Sequence, residues 1–217
     1  MDQFLINKWL NFYLRNTIIK EDFRTFIKKY PITVLIVGVC SLLTILITMM
    51  GGYTEKNVVL LGAYDRDLIH NGQFWRLLTC SVGHMSYPHF FLNIVSIILF
   101  SWPLERTLGK VKFVLCYLFT SIFTTIFIHF FSNIDYVAGS SGFGYGLLGM
   151  YIYLSLKFRN QFYKRDRQFI FMFVAIGFMM TLLIPSVSFS GHLGGFIGGI
   201  IFAALVFKKE QQVLFST

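Results

Sequence analysis

Hydrophobic positions along the chain form six long runs separated by short polar connections. The runs cover residues 33–50, 84–102, 111–132, 141–157, 168–184 and 191–207. An apolar helix needs about 17 to 25 residues to cross roughly 30 Å of hydrocarbon, and each run meets that requirement. The pattern therefore predicts six transmembrane helices.

Two prolines bound the second run. Pro88 lies near its start, where the first turn of a helix tolerates a missing backbone N–H. Pro103 follows its last residue, and a proline inside a helix removes a hydrogen bond and clashes with the preceding turn. We therefore expect the second helix to end at Pro103.

Composition supports a membrane location. The chain has 217 residues, of which 55% are hydrophobic and 13% charged, whereas a soluble domain carries about 25% charged residues. We expect an all-α polytopic membrane protein with one domain at 33–207, a basic N-terminal segment at 1–32 and a cytoplasmic tail at 208–217. Aromatic residues at helical spacing among lysines (Phe23, Phe26) predict an interfacial helix in the N-terminal segment.

The distribution of charge gives the orientation. The net charge is +9, and most lysines and arginines lie before the first run, in the second and fourth connections, and after the last run. The third and fifth connections contain no lysine or arginine. This is the positive-inside pattern with both termini in the cytoplasm. The basic excess thus indicates membrane orientation, and we expect the lipid bilayer, and no nucleic acid, as a partner.

Polar side chains cluster at the starts of the second, fourth and sixth predicted helices, all of which enter from the outer face. These starts carry His84, His89, Asn93, Ser140, Ser141 and His192. Polar residues are costly inside a bilayer, so each is a candidate functional residue. His89 and Asn93 share a helix face by their spacing, as do Ser141 and Tyr145, whereas His84 is expected to point elsewhere or to precede the helix.

Small residues recur along the fourth and sixth helices. The stripes are Gly142, Gly146 and Gly149 in the fourth helix, and Gly191, Gly195, Gly199 and Ala203 in the sixth. Such stripes allow helix backbones to approach closely in lipid. If the two stripes face each other, Ser141 and His192 lie at the same end of a tight helix pair.

That proximity suggests a chemistry. A serine hydroxyl becomes a good nucleophile when a base takes its proton, and imidazole suits that role. His89 and Asn93 could then donate to the oxyanion that develops on an attacked carbonyl. On the side of the membrane where His192 lies, the nearest acid is Asp135, and no buried carboxylate is evident to orient the imidazole. The pattern predicts a Ser–His dyad.

The chain also resembles a known family, the rhomboid intramembrane serine proteases, from about Gly62 to Gly199. The resemblance rests on ordered motifs, namely "GQFWRLLT" (72–79), "HMSYPHFFLN" (84–93), "LERTLG" (104–109), "GSSG" (139–142) and "GHLGGFIGG" (191–199). Each motif alone is weakly specific. Together, in this order and on six predicted spans, they identify the chain as similar to that family.

The resemblance implies roles for individual residues. Ser141 would be the nucleophile and His192 the general base. His89 and Asn93, with the backbone N–H of Ser141, would form the oxyanion site. Tyr145 would pack against the His192 ring and hold it in place.

Further implications concern the periphery and the substrate. Trp75 and Arg76 would form a structural loop partly in the outer leaflet, and Glu105 and Gly109 would be structural. The fifth helix would be a movable gate, with Phe169, Phe171, Phe173 and Phe178 along it. Substrates would be single-span membrane proteins cut near their outer end, with no cofactor or metal. The abundance of phenylalanine and lysine suggests a bacterial plasma membrane, and the oligomeric state stays open.

Two alternatives remain on the sequence alone. A rhomboid-like pseudoprotease would bind membrane helices without cutting them, although such proteins typically lack the serine or the histidine. A transporter or metal channel could use His84, His89 and His192 as ligands. Outside these hypotheses, we expect Ser140 to be a helix cap, and His70 and His129 to be structural.

Overall fold

The computed structural model describes residues 22–184 and 187–207, so residues 1–21 and the predicted tail lie outside it. The helices are α1 (Phe23–Lys29), α2 (Pro31–Met49), α3 (Glu55–Leu60), α4 (Arg66–His70), α5 (Arg76–Thr79), α6 (Tyr87–Phe131), α7 (Ser141–Lys157), α8 (Lys164–Leu183) and α9 (Phe189–Val206). A 3₁₀ turn spans Arg159–Gln161, and strands β1 (Tyr64–Asp65) and β2 (Tyr136–Val137) pair antiparallel with Tyr64 opposite Val137.

The described part of the chain is predominantly helical and suited to a membrane. Four of its helices, α2, α6, α8 and α9, are long and apolar enough to cross a bilayer by length and composition. Helix α6 has 45 residues but contains Gly109 at φ 74° and ψ 164°, where two helices meet at a kink. Helix α7 has 17 residues. A multi-pass helical protein is therefore confirmed, and the count of six spans stays a prediction.

The prediction that Pro103 ends the second helix is wrong. Helical structure continues through Pro103 and changes direction at Gly109. Packing compensates for the hydrogen bond that proline removes, since Leu104 is fully buried and Leu108 is largely so. The turn falls at Gly109 because a positive φ is readily accessible only to glycine. Pro88 does lie in the first turn of α6, as expected.

Glu105 joins α6 to the start of α2. Its buried carboxylate accepts hydrogen bonds from the backbone N–H of Ile32 at 2.9 Å, and from the backbone N–H and hydroxyl of Thr33 at 2.8 and 2.7 Å. A buried carboxylate is tolerated when such donors satisfy it. Beside this junction, the rings of Phe26, Tyr30 and Trp102 pack in a small cluster that attaches α1.

The first connection is organised around Arg76. Its buried guanidinium donates to the carbonyl oxygens of Val59 and Ala63 at 2.7 and 2.8 Å, and to the side chain of Gln73 at 2.8 Å. A planar guanidinium with several donors suits this task of gathering separate carbonyls. The neighbouring Trp75 side chain is 59% exposed. Its contact with the outer leaflet remains a prediction.

The glycine stripes lie at the interface of α7 and α9. A Cβ atom added at Gly195 or Gly199 would collide with the backbone carbonyl of Gly142 or Gly146, respectively. A Cβ at Gly149 would collide with the backbone of Phe196. The two backbones are therefore in direct contact, as small-residue stripes permit.

Helix α6 covers another side of this pair. A Cβ at Gly142 would collide with Thr124, and one at Gly146 would lie 2.6 Å from Thr120. Gly191 faces the side chain of Ile128: an ideal Cβ at Gly191 would lie 3.0 Å from Cδ1 of Ile128. The glycines of α7 thus accommodate neighbours on both sides.

Replacing Gly199 by alanine should destabilise the protein. The added methyl group forces α7 and α9 apart, and overpacking of this kind costs about 1–3 kcal/mol. We expect a lower midpoint of thermal unfolding in detergent. Gly144→Ala is the matched control, because nothing lies within 4 Å of its Cβ position on the same helix pair. Equal midpoints for the two variants would contradict the direct backbone contact.

Candidate active site

Three of the polar residues at the helix starts meet around one cavity of about 740 Å³. His89 at the start of α6, Ser141 at the start of α7 and His192 in the first turn of α9 all line it. Residues of the connection before α7 line it too, including Asp135 and Gly139. The structure therefore brings residues from distant parts of the chain to a common space large enough for water and a peptide segment.

Ser141 and His192 are hydrogen-bonded. The Ser141 Oγ atom lies 2.8 Å from Nε2 of His192, and the imidazole is buried. The backbone contact between Gly142 and Gly195 lies one residue beyond Ser141 and one turn beyond His192. Close packing of α7 on α9 is thus what brings the hydroxyl within reach of the ring. This geometry satisfies the requirement for a serine activated by a neighbouring base.

Tyr145 covers one face of the His192 ring. The two rings are stacked, with centroids 4.0 Å apart and an interplanar angle of 18°. Tyr145 follows Ser141 by one helical turn, so both side chains contact the same imidazole. The stacking restricts rotation of the ring about its side-chain torsions.

Thr181, on α8, is the residue near the site that sequence reasoning missed. Its hydroxyl oxygen lies 2.7 Å from Nδ1 of His192 and 2.9 Å from the hydroxyl of Tyr145. A lone threonine in an apolar helix is a weak signal, because its hydroxyl commonly bonds within its own helix. Its isolation as a polar residue in the C-terminal half of the fifth apolar run was the available clue.

His89 lies beside Ser141 across Gly139. An ideal Cβ at Gly139 would be 2.7 Å from Cε1 of His89 and 3.4 Å from Oγ of Ser141. Asn93, one turn along α6 from His89, is buried, and its side-chain nitrogen has no hydrogen-bond partner. A buried amide donor without a partner is uncommon, and it is available to a further acceptor.

The expectation that the Ser140 side chain caps a helix is wrong. Ser140 precedes α7, but its side chain makes no capping hydrogen bond. Its hydroxyl instead lies 3.0 Å from Nε2 of His84, which precedes α6. The His84 ring packs edge-on against His89 at 5.4 Å. Tertiary packing outcompetes the local cap here, because the buried imidazole needs a polar partner.

The remaining candidates lie away from the Ser141–His192 pair. His70 and His129 contact each other at 5.4 Å, and Nδ1 of His129 lies 3.1 Å from the hydroxyl of Tyr64. Within the described ranges, no three His, Cys, Asp or Glu side chains are grouped to hold a metal ion. Hydroxyl, imidazole, amide and carboxylate groups all line the cavity, the carboxylate being that of Asp135.

The phenylalanines of α8 face different surroundings. Phe173 packs against Phe100 at 5.0 Å and against Phe169 at 5.1 Å, and Phe178 packs against Tyr145 at 5.0 Å. Phe171 is exposed. Helix α8 is lightly buried, with Thr181 as one of its few buried residues in the described chain.

Comparison with known proteins decides the family. The sequence model of the Rhomboid domain matches residues 71–209, which includes every helix of the site. The chain belongs to the rhomboid family. It is a multi-pass membrane protein of a family of intramembrane serine proteases. This result confirms the resemblance that the ordered motifs predicted.

Relatives of this rhomboid chain include bacterial proteins. It is 31% identical over 198 residues to the putative rhomboid protease YdcA of Bacillus subtilis, covering 88% of this chain and 96% of the relative. It is 32% identical to the rhomboid protease GluP of the same organism, over 81% of this chain and 35% of GluP. It is 25% identical to the rhomboid protease GlpG of Haemophilus influenzae, over 84% of this chain and 94% of that protein.

The two adjacent serines should behave differently. Ser140→Ala leaves the buried Nε2 of His84 without its partner, at a cost of about 1–3 kcal/mol, so we expect a lower unfolding temperature. Ser141 keeps its own partner, so labelling of Ser141 by a fluorophosphonate probe should persist at temperatures where the variant is folded. Unchanged stability of Ser140→Ala, or loss of labelling in the folded variant, would contradict this assignment.

Proposed function

We propose that the protein is an intramembrane serine endopeptidase that cleaves the transmembrane segments of single-span membrane proteins near the outer face. Ser141 is the nucleophile and His192 the general base. The observation that carries this proposal is the 2.8 Å hydrogen bond between Ser141 and His192 at a cavity of a rhomboid-family chain. No cofactor is needed for this chemistry.

The proposed reaction proceeds through an acyl-enzyme. Nε2 of His192 takes the hydroxyl proton of Ser141 as Oγ forms a bond to the scissile carbonyl carbon. When the C–N bond breaks, the imidazolium returns that proton to the leaving amine. Water then attacks the ester and gives a proton to His192. The imidazolium returns that proton to Oγ of Ser141 as the C–Oγ bond breaks, which releases the acid and restores the free serine. The cavity beside Ser141 offers the space for this water.

The oxyanion site of the proposal consists of His89, Asn93 and the backbone N–H of Ser141. Ser141 is the first residue of α7, where backbone N–H groups lack intrahelical acceptors. The unpartnered amide nitrogen of Asn93 and the position of His89 beside Ser141 support their inclusion. Donors held ready for developing charge stabilise the transition state strongly in a water-poor site.

The membrane arrangement of the proposal has six spans with both termini in the cytoplasm. The kink at Gly109 supports counting α6 as two spans, and the absence of lysine and arginine at 133–140 and 185–190 supports an outer position for those connections. Relatives in two bacteria support the plasma membrane of a bacterium. Helix α8, lightly buried beside the cavity, is the proposed lateral gate for substrate.

The nucleophile can be tested by substitution. Ser141→Ala and His192→Ala should each lower cleavage of a single-span test substrate by at least about 1,000-fold. The nucleophile and its base act as a unit, so removal of either one abolishes their joint contribution to catalysis. Turnover is measured by gel analysis of the substrate after reconstitution in liposomes. The control Ser96→Ala, on an exposed face of α6, should cleave normally.

Labelling separates the protease from the pseudoprotease alternative. A fluorophosphonate probe should modify Ser141, mapped by mass spectrometry, and the Ser141→Ala variant should not react. Retained turnover in Ser141→Ala would overturn the assigned nucleophile. A folded wild-type protein that neither reacts with the probe nor cleaves the substrate would favour a helix-binding pseudoprotease.

The oxyanion residues make a separate prediction. His89→Ala and Asn93→Ala should each lower kcat by about 100-fold to 1,000-fold with a much smaller change in KM, since their donors act on charge that develops in the transition state. His129→Ala is the control, because its imidazole contacts Tyr64 and not Ser141. An effect of either substitution confined to KM would assign that residue to substrate binding instead.

A further inference from the structure

The hydroxyl of Thr181 is within hydrogen-bonding distance of three groups on the side of His192 opposite to Ser141. Its oxygen lies 2.7 Å from Nδ1 of His192, 2.9 Å from the Tyr145 hydroxyl and 2.9 Å from the carbonyl oxygen of Gly177. Thr181 is buried. The contact with His192 is on the ring nitrogen opposite to the one that meets Ser141.

The number of donor hydrogens and acceptor lone pairs on these groups restricts which group donates in each hydrogen bond. A threonine hydroxyl has one hydrogen to donate and two lone pairs to accept with. The carbonyl of Gly177 can only accept, so the Thr181 hydrogen is directed to it. The two lone pairs then accept from the Tyr145 hydroxyl and from Nδ1–H of His192. In this arrangement every donor and acceptor around Thr181 is satisfied.

The consequence for His192 is a defined tautomer. In a neutral imidazole, one nitrogen carries the hydrogen and the other accepts, and the partner of the first decides which is which. With the hydrogen on Nδ1, the lone pair of Nε2 points at the Ser141 hydroxyl, as a general base requires. The opposite tautomer would present a hydrogen to Ser141 and could not take its proton.

We propose that Thr181 is a positioning residue for the reaction, whose hydroxyl accepts from Nδ1–H of His192 and holds the imidazole in the tautomer that activates Ser141. The inference rests on the proposed function of Ser141 and His192. The hydroxyl takes the place that a carboxylate occupies in a serine–histidine–aspartate triad. Because it is neutral, it orients the ring without introducing a buried charge.

The same hydroxyl also restrains the ring that stacks on His192. Tyr145 covers the face of the imidazole at 4.0 Å, and its own hydroxyl ends on Thr181. An ideal Cβ at Gly177 would lie 2.9 Å from that tyrosine hydroxyl, so Gly177 leaves it the room to reach Thr181. Thr181 therefore constrains His192 twice, through Nδ1 and through Tyr145.

The position of Thr181 on α8 ties catalysis to that helix. Ser141, Tyr145 and His192 belong to α7 and α9, whose backbones are in direct contact, whereas Thr181 belongs to the lightly buried α8. Any displacement of α8 from the other two helices separates the hydroxyl from Nδ1. The competent tautomer of His192 is thus favoured when α8 is seated against the site.

The test uses a pair of substitutions at one position. Thr181→Val keeps the branched shape and removes the hydroxyl, and should lower kcat by about 10-fold to 100-fold with KM little changed, as expected for a lost hydrogen bond to a group that becomes charged. Thr181→Ser keeps the hydroxyl and should restore kcat to within about 3-fold of wild type. The rate of fluorophosphonate labelling of Ser141 should follow the same order.

Thr120→Val is the matched control. Thr120 is likewise buried and likewise bonds to a carbonyl in its own helix, that of Cys116, but its side chain packs on Gly146 and does not contact His192. It should retain wild-type kcat. Equal losses of kcat in Thr120→Val and Thr181→Val would assign the effect to helix packing and overturn the inference.

A spectroscopic readout is independent of turnover. In protein labelled with ¹⁵N-histidine, the nitrogen shifts of His192, assigned by comparison with His192→Ala, should report the Nδ1–H tautomer in the wild type and a mixture in Thr181→Val. An unchanged tautomer together with unchanged kcat in Thr181→Val would overturn the inference. Turnover retained in Ser141→Ala would instead overturn the proposed function, so the two failures are distinguishable.

Discussion

Direct backbone contact between α7 and α9 is the constraint on which the rest of the site depends. In lipid, helices gain nothing from hiding apolar side chains from water, so their association relies on close packing and on hydrogen bonds between them. The carbonyls of Gly142 and Gly146 occupy the space that a Cβ at Gly195 or Gly199 would need. At this separation a serine side chain on one helix reaches a histidine ring on the other, which longer interfacial side chains would prevent.

Buried polar groups around this contact divide into satisfied and unsatisfied ones. Glu105 and Arg76, away from the site, have several partners each, and they join segments that are distant in the chain. The Asn93 amide nitrogen, near the site, has none. An unpaired buried donor costs about 1–3 kcal/mol, so its presence one helical turn from His89 is consistent with a donor kept for a transient acceptor.

Local pattern was a good guide to the helices, but a poor one to the chain's behaviour at Pro103 and to side-chain partners. Run length and small-residue spacing predicted α7 at its observed boundaries and the pairing of its glycines with α9. Pro103 misled, because the burial of Leu104 and its neighbours outweighs the cost of a proline within a helix. The prediction for Ser140 failed for a similar reason. A capping hydrogen bond is a local interaction, and the Ser140 hydroxyl instead bonds to the imidazole of His84, which is distant in sequence.

The sequence alone predicted the family and the Ser141–His192 pair. The prediction rested on the order of apolar runs, the charge bias, the glycine stripes and the motifs around these two residues. These features are periodic or contiguous in the sequence, so they can be recognised without knowledge of the tertiary structure. The partner of Nδ1 of His192 could not be found that way. Thr181 meets that nitrogen only because α8 packs beside α7 and α9, and a hydrogen bond of 2.7 Å depends on the relative placement of whole helices, which no local pattern records.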